Sequence, residues 1–183
     1  MCAHRPSRGD TRPTSAEVRA GPALRPAEVV GDRCHPRHVD HAAPRSGPFW
    51  EAVDGRRPPP PAAALLGWQA ERIDPEGGEV EVGFTATEAF TNPMGTVQGG
   101  FLAAMLDDTV GPALVCTLDP DEFPLTLELK VNYLRPARPG RLRGIGRIVH
   151  RGGTVAFLAG ELLDDSGEVL ATATATVRIV RSS

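Results

Sequence analysis

Hydrophobic and polar residues alternate most strictly near the C-terminus. In an extended chain Ala171, Ala173, Ala175 and Val177 fall on one face, and Thr172, Thr174, Thr176 and Arg178 on the other. A period of two marks a strand, here with a small-residue face that can lie close against a helix. The same period runs through residues 79–85, where Val80, Val82 and Phe84 alternate with Glu79, Glu81 and Gly83. Four more runs read as strands, at residues 65–73, 125–134, 142–150 and 155–163, with the C-terminal one spanning 169–180. Turn residues separate them: Asp74-Pro75-Glu76-Gly77-Gly78, Arg135-Pro136-Ala137-Arg138-Pro139-Gly140, Arg151-Gly152-Gly153 and Asp164-Asp165-Ser166-Gly167. One segment departs from this texture. Residues 101–118, opened by Gly99-Gly100, are apolar nearly all round, which predicts a buried helix. Pro112 should kink it or shorten its regular part.

Consecutive strands with turn-length connections are expected to pair antiparallel. The predicted fold class is α+β, an antiparallel six-stranded sheet wrapped around one long central helix, occupying residues 65–181. Such a sheet has two open edges, and edge-to-edge dimerisation is one way to protect them. Ahead of it, residues 46–64 read as a short helix over 48–53, capped by Ser46 and ending at Asp54-Gly55, and then a polyproline connector over 58–61. Residues 1–45 carry eight arginines against five carboxylates and few large apolar side chains. That composition has too little to bury to offset its ordering entropy, so disorder is expected. The run Cys34-His35-Pro36-Arg37-His38-Val39-Asp40-His41 is reminiscent of metal ligands, but structural zinc sites bring two separated pairs together and no second cluster follows.

The 183 residues suit one domain, and 20 basic against 23 acidic side chains leave a formal charge of −3. No basic stripe suggests nucleic acid, and no run of 18 apolar residues suggests a membrane span. The first residues lack the apolar core of a secretory signal. Cys2, Cys34 and Cys116 are too few and scattered for a disulfide framework, so a reducing, cytoplasmic setting is expected.

Candidate chemistry gathers around the helix. Asp107 and Asp108 lie two to three turns into an apolar segment, with no Lys or Arg three or four residues away. A buried carboxylate is costly unless it is paired. The Gly-Gly start leaves free N–H groups at the positive end of the helix dipole, and its missing side chains permit close approach of a substrate. A helix N-terminus aimed at a carbonyl oxygen, with a carboxylate on the same helix, suits acyl transfer or hydrolysis. A solvated Asp-Asp pair beside an ordinary helix start remains the alternative. There is no G-x-S-x-G motif, P-loop or dinucleotide fingerprint.

Asn92, Gly95, Gln98-Gly99-Gly100 and Asp107, followed by Asn132-Tyr133-Leu134-Arg135-Pro136, resemble the hotdog-fold acyl-CoA thioesterases of the phenylacetate-pathway (PaaI) type over about residues 65–180. Members of that family place an acidic residue nine positions after the residue preceding Gly-Gly, which selects Asp107 rather than Asp108. The resemblance implies a catalytic set of Asp107, Asn92, Gly99 and Thr126. The Gly99 N–H would polarise the thioester carbonyl, and Asn92 would hold the carbonyl or the water. Asp107, reaching across from a partner subunit, would act as general base or nucleophile, and Thr126 would orient the water. Gln98, Gly100, Asp108 and Tyr133 would line the substrate site. Arg135, Arg138, Arg151 and Gly152 resemble the turns that meet the phosphates and pantetheine arm of coenzyme A. A homodimer, and a dimer of dimers forming a homotetramer, are implied, with no metal or redox cofactor. Phe90, Met94, Met105 and Tyr133 are candidates to line the acyl pocket. Many relatives carry His where this chain has Gln98, which cannot shuttle a proton near neutral pH. A non-catalytic acyl-CoA sensor or carrier is therefore the second reading. Hotdog hydratases need a catalytic His, and only His150 lies in this domain.

Overall fold

The structure, a computed structural model, describes residues 46–181. The basic N-terminal segment and the run from Cys34 to His41 lie outside the described residues. Two short helices come first, α1 (Pro48–Val53) and α2 (Pro61–Leu66), followed by the hairpin strands β1 (Gln69–Asp74) and β2 (Glu79–Ala86). The long helix α3 (Gly99–Val115) precedes β3 (Glu122–Tyr133), β4 (Gly140–Arg151), β5 (Val155–Asp164) and β6 (Val169–Arg181). All strand pairs are antiparallel, in the order β1-β2-β4-β5-β6-β3. The expected α+β architecture is present.

Helix α3 lies on the inner face of this sheet. It turns Leu102, Met105, Leu106, Thr109, Val110, Ala113 and Leu114 inward. Burial of six such apolar side chains supplies on the order of 10 kcal/mol before chain entropy is counted. Its close seating depends on glycine. A Cβ at Gly160 would lie 2.7 Å from the Val110 Cγ1, and one at Gly146 would lie 3.0 Å from the Thr109 carbonyl carbon. The small-residue face of β6 behaves as its alternation predicts, with Ala171, Ala173, Ala175 and Val177 all buried. The side of α3 away from the sheet is less covered, and Ala104 is exposed there.

Four local expectations are corrected. Residues 65 and 66 are helical: Pro61 presets the first turn of α2, alanines carry it, and Gly67 ends it at φ +66°. The strand read from residue 65 therefore begins at Gln69. The cap of α1 is Gly47, at φ +98° with no side-chain cap bond, rather than Ser46. Helix α3 starts two residues earlier than its apolar run and ends at Val115. Finally, β3 and β4 are consecutive and joined by a short link, yet they do not pair. β3 joins β6 and β4 joins β2, so residues 134–139 cross from one edge of the sheet toward its middle. This link, with two prolines that cannot donate to a ladder, is anchored from both sides. The Leu134 and Arg135 N–H groups donate to the Leu170 carbonyl, and the Val97 N–H donates to the buried Ala137 carbonyl.

Pro112 sits in the last turn of α3 and cannot donate to the Asp108 carbonyl four residues back. The indole N–H of Trp68 takes that place at 3.0 Å. Trp68→Phe should destabilise the fold by about 1–2 kcal/mol in chemical denaturation, because a part-buried acceptor loses its donor. In a Pro112→Ala background, where residue 112 regains an N–H, the same substitution should cost less. Equal costs in both backgrounds would remove the bond from this account.

Candidate active site at the start of helix α3

Residues 87–98 deliver the chain to α3 through a loop built from its own side chains. The Asn92 Oδ1 accepts from the Met94 N–H at 2.9 Å and the Thr96 N–H at 3.3 Å, and Asn92 Nδ2 donates to Thr96 Oγ1 at 2.9 Å. Gly95 supplies the positive φ of +72° that lets the loop double back. Both polar ends of the Asn92 side chain are thus engaged inside the loop. Its amide shapes the approach to Gly99.

The residue before the two glycines, Gln98, is extended at the N-cap and forms no side-chain cap bond. Its N–H donates to the Phe90 carbonyl at 2.8 Å, and its own carbonyl accepts from the Phe101 N–H at 3.0 Å. The N–H groups of Gly99 and Gly100 have no acceptor within the helix, as for any first turn. Gly99 lines a cavity of about 420 Å³ whose other walls include Val97, Leu102, Tyr133, Leu134 and Ala137, with Arg135 also against it. The Tyr133 hydroxyl donates to the Gly99 carbonyl at 2.8 Å. Tyr133 reaches this spot as the last residue of β3, paired with Ala171 of β6, and the crossing link carries Arg135 there.

The two aspartates occupy different surroundings. Asp107 Oδ1 accepts from the Thr126 hydroxyl on β3 at 3.1 Å. Asp108 carries a buried Oδ2 that has no hydrogen-bond partner among the described residues. Burial first, and the Asp107 charge second, push its carboxyl up to about 6. Asp107 and Gly99 do not meet within the chain: eight residues of helix separate them, about 12 Å along the axis.

The remaining candidates divide by place. Arg135 lies beside the cavity but is tied down, its Nε 2.7 Å from Glu168 Oε1 and its Nη1 donating to the Val169 carbonyl. Arg138 is exposed on the same crossing link. Arg151 and Gly152 stand at the opposite end of α3. The Arg151 guanidinium donates to the Thr117 carbonyl and hydroxyl, both at 2.9 Å, and reaches Glu122 at 3.4 Å. The Gly152 N–H donates to the Val155 carbonyl, closing the β4–β5 turn. One chain therefore does not bring Arg151 and Gly152 to Gly99. Of the four pocket candidates only Tyr133 lines the cavity. Phe90 and Met105 are in the core, Phe90 stacked on Phe101 at 4.2 Å, and Met94 is 85% exposed on the loop. His150 packs its ring near Phe157 on β5. Among the described residues no group of three metal-ligating side chains occurs. Trp68 escaped the sequence reading, although Pro112 four residues after Asp108 announces a carbonyl in need of a donor.

Residues 94–171 match the family model described as the thioesterase superfamily. A phenylacetic acid degradation-related candidate thioesterase from Ralstonia eutropha JMP134 is 43% identical, with a TM-score of 0.69, covering 71% of this chain and 98% of that one. A candidate esterase from Saccharolobus solfataricus is 31% identical over 110 residues, 60% of this chain and 78% of its own. The 1,4-dihydroxy-2-naphthoyl-CoA hydrolase of Listeria monocytogenes is 21% identical over 109 residues, 60% of this chain and 89% of its own.

The Asp108 carboxyl makes stability depend on pH. Between about pH 4 and 6 the folded protein holds a proton that the unfolded chain has released, so stability falls as pH rises through that window. Above it the folded state carries a buried charge. Asp108→Asn should raise stability at pH 8 by about 1 kcal/mol, a value discounted for partial exposure, and by roughly a third of that at pH 4.5. Thermal unfolding at the two pH values checks this, and a gain at pH 4.5 equal to that at pH 8 would contradict it.

Proposed function

The chain belongs to the thioesterase superfamily and has its hotdog fold, and from that premise we propose that it hydrolyses acyl-CoA thioesters to the free acid and coenzyme A. One observation carries the reading. An uncapped Gly-Gly helix start opens on a largely apolar cavity, while the carboxylate that would complete it sits two turns along the helix, held by Thr126 of the edge strand β3. The two halves lie about 12 Å apart in one chain, so they complement each other only between two copies.

The two sheet edges differ in a way that supports such pairing. β1 is short, broken by a bulge between Ala70 and Arg72, and lined with Glu71 and Arg72. β3 has a bulge of its own, between Thr126 and Glu128, and Pro124, so the edges differ in length and in exposed apolar side chains. β3 is twelve residues long, with Leu125 and Leu127 50% and 57% exposed. Pairing of β3 with its symmetry mate would cover these leucines and bring Asp107 and Thr126 of each copy toward the Gly99 end of the other.

In that arrangement the thioester carbonyl oxygen accepts from the Gly99 N–H at the positive end of α3. That charge stabilisation grows as the oxygen becomes an oxyanion. Asp107, held by Thr126, takes a proton from water, whose oxygen attacks the carbonyl carbon. The C–S bond then breaks, and the coenzyme A thiolate leaves and is protonated. In the second route Asp107 itself attacks, giving an anhydride that water opens. Asn92 keeps the loop before Gly99 in shape. Gln98 and Gly100 flank the carbonyl, and Arg135 and Arg138 offer charge toward the phosphates.

Release of free thiol from acetyl-, hexanoyl-, palmitoyl-, benzoyl- and phenylacetyl-CoA tests the proposal. Asp107→Asn should lower turnover about 10²–10⁴-fold, the usual scale for a positioned acid–base group. A mutant that kept its rate would sink the assignment, and binding without thiol release in the unmodified protein would mean a sensor or carrier. A charge on the β3 edge, as in Leu127→Asp, should shift the protein to monomers in sedimentation and abolish thiol release. Active monomers would refute the shared site.

A further inference from the structure

Glycines at 99 and 100 permit close approach, but they leave the start of α3 poorly specified. Glycine accepts a broad range of backbone angles, and no side-chain cap fixes this turn. One side chain does reach it. Tyr133, the last residue of β3, donates its hydroxyl to the Gly99 carbonyl at 2.8 Å. Its ring packs so near that a Cβ on Gly99 would lie 3.1 Å from Tyr133 Cζ. The tyrosine is itself held in register by β6, opposite Ala171, and is 52% exposed along the cavity wall.

The Gly99 carbonyl and the Gly100 N–H belong to one planar peptide unit. Whatever holds the carbonyl oxygen therefore sets where that N–H points. A hydrogen bond received by the carbonyl also polarises the unit and strengthens the N–H as a donor. The carbonyl has a second lone pair for the helical bond from Ala103, so both bonds can coexist.

Resting on the thioesterase reading above, we infer that Tyr133 is a positioning residue, whose hydroxyl fixes the Gly99–Gly100 peptide and so aims the Gly100 N–H, a second donor beside that of Gly99 at the uncapped start of α3. The tyrosine itself makes no contact with the reacting atoms in this role.

Tyr133→Phe keeps the ring and removes only the bond. Two measurements on the full chain decide the matter: amide ¹⁵N order parameters at residues 99 and 100, and thiol-release kinetics beside Asp107→Asn as the inactive control. The order parameters should drop from about 0.85 in the unmodified protein toward 0.6 or below. Turnover should fall about tenfold with KM within about twofold, the size of one lost neutral hydrogen bond felt in the transition state. Unchanged order parameters would overturn the clamp, whether or not the protein releases thiol. Lowered order with unchanged turnover would overturn its part in the reaction. If the unmodified protein released no thiol at all, the thioesterase reading would fall, and the order parameters would still decide whether Tyr133 holds the helix start.

Discussion

Gly144 and Gly146 on β4 and Gly160 on β5 leave a bare strip of sheet beneath α3. Side-chain and backbone atoms of Thr109 and the Val110 side chain occupy the space that side chains would otherwise take. A helix seated that tightly cannot slide or turn without lifting seven buried residues from the core. Its orientation then dictates the rest. With Leu102, Met105 and Leu106 facing the sheet, Asp107 is turned toward β3 and Thr126, while Asp108 lies beside it with one oxygen buried. The N-terminus of α3 is left at the mouth of a cavity because β3 is an edge strand and the link leaving it must cross back over that end.

Chemical asymmetry within one Asp-Asp pair follows from this placement rather than from the residues themselves. One carboxylate is held by a hydroxyl, and the other loses most of its hydration. The family resemblance points to Asp107; the structure adds that burial raises the carboxyl of its neighbour Asp108. A perturbed pKa often marks a functional group, but structural burial produces the same shift. Here the shift belongs to the aspartate without a hydroxyl partner.

Much of the architecture was legible in the sequence because period-two alternation in β2 and β6 is a direct consequence of one buried face. The Asp74–Gly78 turn was legible through its turn chemistry. Leu65 and Leu66 were misplaced because two leucines fit either a strand or a helix, and Gly67 alone marks the stop. The non-adjacency of β3 and β4 was hidden because the length of a link says nothing about which strand its neighbour pairs with. Arg151 and Asn92 were legible as polar residues in suggestive places, but their partners were not. Thr117 lies 34 residues from Arg151, and the Asn92 loop closes only when Gly95 takes a positive φ. The family resemblance carried the choice of Asp107, and the geometry adds the hydroxyl of Thr126 beside it.

The central claim is that Gly99 and Asp107 work as a pair across two subunits. Complementation between two inactive variants tests it most directly. Gly99→Pro removes the N–H at a helix position whose backbone suits proline, Gln98 already has the extended backbone that a following proline prefers, and the Tyr133 ring, 3.1 Å from the added Cβ, must give by a few tenths of an ångström. Mixed with Asp107→Asn, it should form hybrid dimers in which one site carries both lesions and the other carries neither. Thiol release should then return to roughly a quarter of the unmodified level at equal mixing, as expected for a two-fold dimer with two shared sites. Mixtures as inactive as either variant alone, with hybrid dimers demonstrably formed, would contradict the account.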